Sequence, residues 1–232
     1  MQDKKYLDML DSAVLSKSAV EDFYALYNGN AEFRIWLDKF IPEVKKCEEQ
    51  KQNNPWHKYN VLGHILHSVE EINAVTDNLP DGDRRMLAYT MFFHDIGKPD
   101  THIVREKDGQ MIDSFFNHNV KGCEIIKSIL PELGFNENDA AVIFKLVDKH
   151  DMFMFLTPHK TNNPYKRVLT YDVIREEIAD LNSVGDGNKL LRYLVMVGRS
   201  DNLAQNEKMT GQSLRLLDIF DGMLDSINEK GL

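Results

Sequence analysis

Residues 60 to 78, NVLGHILHSVEEINAVTDN, place Leu62, Ile65, Leu66, Val69 and Ile72 on one stripe at helical spacing. Such a stripe is stable only when other elements cover it, and the same period recurs along most of the chain. DRRMLAYTMFFHD, at 83 to 95, is a second helical segment, more apolar and therefore more buried. In SAVEDFYALYNGN, Ser18 with Glu21 three residues later reads as a capping box, and Asn28-Gly29 reads as a helix end. AEFRIWLDKF continues as helix to Pro42, and EVKKCEEQKQNN runs out into a polar loop. Further helices are predicted at NVKGCEIIKSIL, ENDAAVIFKLVDKH, YDVIREEIADLN, NKLLRYLVMVGRSDNLA and SLRLLDIFDGMLDSIN, with a polar loop at TPHKTNNPYKR. Only THIVREKDGQMIDSF departs from this period; Asp108-Gly109 between two short runs predicts a small β-hairpin near residues 101–115. The expected class is all-α, a helical bundle with one hairpin. Residues 1–50 are expected to form a helical extension packed on a main domain at 51–232.

The balance of charge narrows what such a bundle binds. Its 232 residues carry a formal net charge of −9, which argues against non-specific nucleic-acid binding and against anionic membrane surfaces. A small phosphorylated ligand stays open, because a metal can supply positive charge locally. The two cysteines, Cys47 and Cys123, form no C-x-x-C pattern, as expected of a cytoplasmic protein without a disulfide framework. The first ten residues, MQDKKYLDML, lack a signal-peptide h-region, and no apolar run approaches the roughly 20 residues of a membrane span.

The chemistry-bearing residues sit at the ends of apolar stretches. FFHDIGKPDTH, residues 92 to 102, runs two phenylalanines into His94 and Asp95 and then stops at Gly97. His150 and Asp151 close AVIFKLVDK in the same way, His64 lies at the edge of its apolar stripe, and Asp201 is embedded after LLRYLVMVGRS. A carboxylate in that setting is costly to bury unless it is paired or bound to metal. Separations of 24 to 51 residues between His64, His94, His118, His150 and Asp201 exclude a local motif of the zinc-finger kind. For any one histidine taken alone, a core or surface imidazole satisfied by a backbone carbonyl is the simpler reading.

The order of the segments says more than their spacing. NVLGHILHSVEE, FFHDIGKPDT, FNHNVKGCEI, KLVDKHD and VGRSDNLAQ, in that sequence and with the lead-in NPWHKYNVLGH, resemble the HD-domain metal-dependent phosphohydrolases. More narrowly they resemble the HDIG type attached to bacterial tRNA nucleotidyltransferases, over roughly residues 53 to 205. The resemblance implies that His64, His94, Asp95 and Asp201 ligate a first metal. His118 and His150 match positions that bind a second metal in binuclear members, with Asp95 as bridge, or that contact phosphate in mononuclear ones. Lys98 matches the lysine of HDIGK and would face a phosphate; with Asp95 it is the expected catalytic pair, and His57 with Lys98 the expected substrate contacts.

One or two divalent ions would neutralise phosphate oxygens and lower the pKa of water from 15.7 towards roughly 7. Four neutral imidazoles and two carboxylates carry −2, so two divalent ions make the loaded site positive inside an acidic protein. Mixed imidazole and carboxylate ligands suit Mn, Fe, Co, Ni or Zn, with Mg open if oxygen ligands dominate. Residues 1 to 56 carry neither the G-S motif nor the D-x-D pair of the nucleotidyltransferase head. After His150 there is no GYP tripeptide, unlike the HD-GYP cyclic-dinucleotide phosphodiesterases, and no acidic pair follows the HD, unlike the alarmone hydrolases. The expectation is a free-standing hydrolase of a small, nucleotide-type phosphomonoester or cyclic phosphodiester. The alternative is a non-catalytic HD protein sensing a nucleotide or metal; the complete ligand set favours the enzyme. A homodimer is compatible with the family.

The remaining candidates have bland readings. His67, His102 and His159 are expected at the surface, and Glu70-Glu71 on a solvated helix face. Asp151 is balanced between metal ligation and helix-end solvation. Lys121, Lys149 and Arg199 lie near ligand candidates in the sequence, and Met152 to Phe155 read as core or lid packing before a base pocket.

Overall fold

The structure, a computed structural model, describes residues 2–230. Twelve α-helices carry it: α1 Gln2–Val14, α2 Ala19–Gly29, α3 Ala31–Phe40, α4 Pro42–Glu49, α5 Val61–Val75, α6 Asp81–Phe93, α7 His118–Ile126, α8 Ile129–Glu132, α9 Glu137–Lys149, α10 Tyr171–Leu181, α11 Gly187–Leu203 and α12 Glu207–Lys230. The class is all-α, with one antiparallel hairpin of β1 His102–Lys107 and β2 Gln110–Phe115. The hairpin's two-residue turn, Asp108 at φ 52° and Gly109 at φ 77°, needs two successive left-handed residues, which Asp-Gly supplies at low strain.

The helices begin where the sequence offers acceptors. Asn30, Asn60, Asn136, Thr170 and Asp186 each accept a hydrogen bond from a first-turn N–H of α3, α5, α9, α10 and α11. Ser18 does not: its side chain makes no cap bond to α2. The Val20 N–H donates instead to Glu70 of α5 at 3.0 Å. A tertiary carboxylate has displaced the expected capping box, so Glu70 is not the solvated residue its helix position suggests. The loop at 158–166 is polar as expected, but its flanks pair: β3 Leu156–Thr157 runs parallel to β4 Arg167–Val168.

One hydrophobic cluster runs from Tyr6 to Leu224. α5 packs against α6, α11, α2 and α4, and α9 covers α6 and α7. Residues of the first fifty join this cluster directly, with the Phe23 ring 5.9 Å from Phe92. Asn73 of α5 donates to the carbonyls of Val14 and Ser16, both at 2.8 Å. Arg85 of α6 forks onto Asp11 and also donates to Leu133 O at 2.7 Å. This packing gathers the first turns of α5 and α7 and the last turns of α6, α9 and α11. No helix among the described residues is long and apolar enough to cross a membrane.

Candidate metal centre

Each ligand candidate owes its direction to a helix end. His64 stands in the first turn of α5, and His118 opens α7. His94 follows the last residue of α6, His150 the last residue of α9, and Asp201 lies in the final turn of α11. Three helix C-termini bring negative dipole ends here against two positive N-terminal ends, so the helix dipoles nearly offset and the carboxylates decide the charge of the site.

The imidazoles are locked by local bonds. Nδ1 of His94 lies 2.6 Å from Met91 O, that of His118 2.7 Å from Phe115 O, and that of His150 2.7 Å from Val147 O. In each case Nδ1 carries the hydrogen and donates it to a carbonyl three residues earlier, so in the neutral ring Nε2 is a bare lone pair aimed inward. Those lone pairs face one another. His94 Nε2 is 3.3 Å from His64 Nε2, and His118 Nε2 is 3.1 Å from His150 Nε2. Two lone pairs at that distance repel unless a proton or a metal lies between them.

The ligand atoms fall into two groups, His64 with His94 and Asp201, and Asp95 with His118 and His150, all buried. Asp95 joins them. Its Oδ2 lies 3.2 Å from His64 Nε2 and 3.4 Å from His94 Nε2, and its Oδ1 lies 3.2 Å from His118 Nε2 and 3.7 Å from His150 Nε2. Asp201 Oδ1 is 2.9 Å from His64 Nε2 and 3.7 Å from His94 Nε2. Atoms bound about 2.1 Å from one metal ion stand roughly 3.0–3.4 Å apart, so these separations suit shared ions. Two buried polar atoms, His64 Nδ1 and Asp95 Oδ2, make no directed hydrogen bond within the protein. A carboxylate oxygen that faces two imidazole nitrogens and is ion-paired with the Lys98 ammonium belongs to a donor set suited to a transition metal. These residues fit divalent metal.

Without metal the cluster balances its charge with protons. Burial opposes a charge on His94, but Asp95 and Asp201 outweigh it and raise the imidazole to about 10. Burial likewise opposes charge on His150, and Asp151 and Asp95 raise it. Burial alone would raise the carboxyls of Asp95 and Asp201; Lys98 and His94 around the former, and His64 and His94 around the latter, hold both well below the usual range. The raised His94 stabilises the metal-free fold fully below its ordinary value of 6.5, and that contribution is lost as pH climbs to about 10. The depressed carboxyls contribute above the usual carboxylate range and lose their contribution as pH falls through it. Metal must displace the His94 proton. Apparent affinity for Zn(II) is expected to rise about tenfold per pH unit, per displaced proton, between pH 6.5 and 8.5. Competition titrations with a chelating dye measure it, and a flat profile would show that no proton is held there.

Gly97 sets the spacing of the two groups. A Cβ on it would lie 2.2 Å from His118 O and 2.6 Å from Gly122 N, so α7 rests directly on this backbone. Gly97→Ala is expected to lower the stability of the metal-free protein by about 3 kcal/mol and to move His118 away from His150. Urea unfolding reads the first effect and metal stoichiometry the second; an unchanged midpoint would show that α7 tolerates the shift.

The structure gathers His64, His94, Asp95, Lys98, His118, His150 and Asp201 in one cluster, with half-buried His57 at its edge, the His57 and His64 rings 5.0 Å apart. Asp151 joins as well, its Oδ2 3.4 Å from His118 Nε2. Three others lie outside. His67 stacks on Tyr59 at 4.1 Å, His102 pairs with Asp113 at 2.8 Å, and His159 is exposed. Lys121, Lys149 and Arg199 pair with Glu124, Glu177 and Asp218. Phe153 packs into the core against Phe220, whereas Met154 and Phe155 are exposed. Two residues that the sequence reading did not single out are present: Gln52, which accepts from Lys98 at 3.0 Å, and Gln205, which donates to both Asp201 oxygens at 3.2 and 3.3 Å. Gln205, one helical turn beyond Asp201, could have been found from spacing; Gln52 could not. No family model matches the chain.

Proposed function

We propose that the protein is a metal-dependent phosphohydrolase acting on a small, nucleotide-type phosphomonoester or cyclic phosphodiester. One observation carries the metal half of this reading: Asp95 presents one oxygen to each of two buried imidazole groups. The phosphate half is supported by the order of the five motif segments and by a buried lysine beside Asp95.

His64, His94 and Asp201 would hold one ion and His118 and His150 the other, with Asp95 between them. Divalent ions held there supply hydroxide at neutral pH and neutralise phosphate oxygens. The Nδ1–H bonds keep three of the four imidazoles in the ligating tautomer. Gln205 holds Asp201, and Lys98 supplies a positive charge that needs no ion. Burial of the cluster keeps its charges strong by excluding water. A net charge of −9 disfavours an extended polyanion as substrate and leaves a small one.

Metal analysis of the purified protein, with hydrolysis of bis-p-nitrophenyl phosphate and of nucleotide monophosphates measured under Mn, Fe, Co, Ni, Zn and Mg, tests the reading. Bound metal with metal-dependent turnover is expected. Metal without turnover on any phosphoester would leave a metal-binding protein and reject the enzyme.

A further inference from the structure

Among the described residues, Lys98 is the lysine in contact with the ligand cluster. Its side chain is 7% exposed. Nζ donates to Gln52 Oε1 at 3.0 Å, lies 2.5 Å from Asp95 Oδ2 and 3.3 Å from His57 Nε2. Gln52 is buried and tethered by its own Nε2, which donates to Tyr59 O at 3.3 Å. The His57 ring is fixed as the ligand rings are: its Nδ1 is 2.8 Å from Asn54 Oδ1, again three residues earlier. Nε2 of His57 is then the lone pair that faces the ammonium.

These partners outline a cation position. His57, His64 and Asp95 bring one ligand atom each to within 4.8 Å of one another; His64 and Asp95 are shared with the two groups described above, and His57 is new. The ammonium already touches two of these three residues. Asp95 Oδ2, ion-paired with it, receives no directed hydrogen bond and is the same oxygen that faces His64 and His94, so a cation here would share it with the first ion. With His64 committed to the first ion, His57 Nε2, Gln52 Oε1 and a shared Asp95 Oδ2 are the protein atoms that would hold a cation here.

We propose that this is a third cation position and that the chain fills it with its own ammonium. Lys98 is a resident cation that limits the centre to two exchangeable metal ions. The inference rests on the metal-binding reading above and goes beyond it by assigning the third position and its occupant. The physical reason is charge and room together. Two divalent ions against Asp95 and Asp201 already leave the centre positive, and the ammonium both blocks the His57 lone pair and repels a further ion. Replacing Lys98 by a neutral residue removes one charge, frees His57, Gln52 and Asp95 Oδ2, and opens the position to metal.

The test counts ions. Metal-free full-length protein, Lys98→Met and the double variant Lys98→Met/His57→Ala are titrated with Mn(II) and, separately, with Zn(II). Stoichiometry is read by calorimetry and by metal analysis after desalting. Lys98→Met keeps the unbranched apolar stem, and urea unfolding checks its fold; Lys98→Gln replaces it if it does not fold. Two ions per chain are expected for the native protein, three for Lys98→Met and two again for the double variant. Equal counts in native protein and Lys98→Met would overturn the proposal, as would three in the double variant or three in the native protein. A native chain that binds no metal at all would instead remove the metal-binding reading, and this inference with it.

Discussion

Asp95→Asn is expected to lose metal and, with it, the hydrolysis proposed above. The substitution keeps the side chain's shape, so its effect is chemical. Asp95 is the residue whose two oxygens each face a different imidazole group. An amide presents one neutral oxygen and one N–H donor, and the donor points at nitrogen lone pairs or at the Lys98 ammonium. At least one ion per chain is expected to be lost. Turnover of bis-p-nitrophenyl phosphate should fall by roughly 10³-fold, about 4 kcal/mol of barrier. The metal-free fold suffers too. Lys98 stays buried with its counter-charge gone, and breaking a buried ion pair on one side costs about 3–5 kcal/mol. The three readouts are metal content, initial rate and urea midpoint. A variant with native metal content and native rate would show that Asp95 is not shared between two ions.

Removal of residues 1–50 abolishes cooperative folding of the remainder. Twelve of the buried apolar residues lie in this segment, from Tyr6 to Cys47. Phe23, Phe33, Leu37, Ile41, Val44 and Cys47 have no exposure at all, and Phe23 meets Phe92, two residues before His94. Deleting one such phenylalanine side chain costs about 3–5 kcal/mol, against a total stability of about 5–15 kcal/mol. The truncation removes that contact together with the rest of the cover on α5. It also strips Asn73, buried in the core, of both its carbonyl acceptors, and Arg85 of Asp11. Near-ultraviolet circular dichroism and thermal unfolding of the 51–232 chain decide the matter: no sigmoidal transition is expected. A cooperative transition with native metal binding would show that residues 51–232 stand alone and that the first fifty only decorate them.

Much of this molecule is written in local pattern. The apolar stripe at Leu62, Ile65, Leu66, Val69 and Ile72 dictated α5, because a helix buries what its period puts on one face. Asp108-Gly109 dictated the hairpin turn, because two consecutive left-handed residues are inexpensive only for a few side chains. The candidate ligand histidines were legible as chemistry at the ends of apolar runs, since a residue just past a buried helix turn is held inward while still carrying a polar group.

Other features had no local signal. Ser18 has the side chain and spacing of a cap, yet the Val20 N–H bonds to Glu70, fifty residues away. Gln52 looks like any polar loop residue and is buried against Lys98 because α4 and the following loop fold back over the cluster. Asp151 and Arg199 stand equally near ligand candidates in the chain, but only Asp151 reaches the centre, while Arg199 turns out to Asp218. By itself the sequence determined which segments coil, which faces they bury and which residue types could bind a metal, because those depend on neighbours within a few positions. Only the tertiary structure decided that Asp95 lies between two imidazole groups and that Lys98 is enclosed with Gln52 and His57. Asp95 is 31, 23 and 55 positions from His64, His118 and His150, and Lys98 is 46 and 41 from Gln52 and His57; these distances are set by how helix ends converge, which no local spacing encodes.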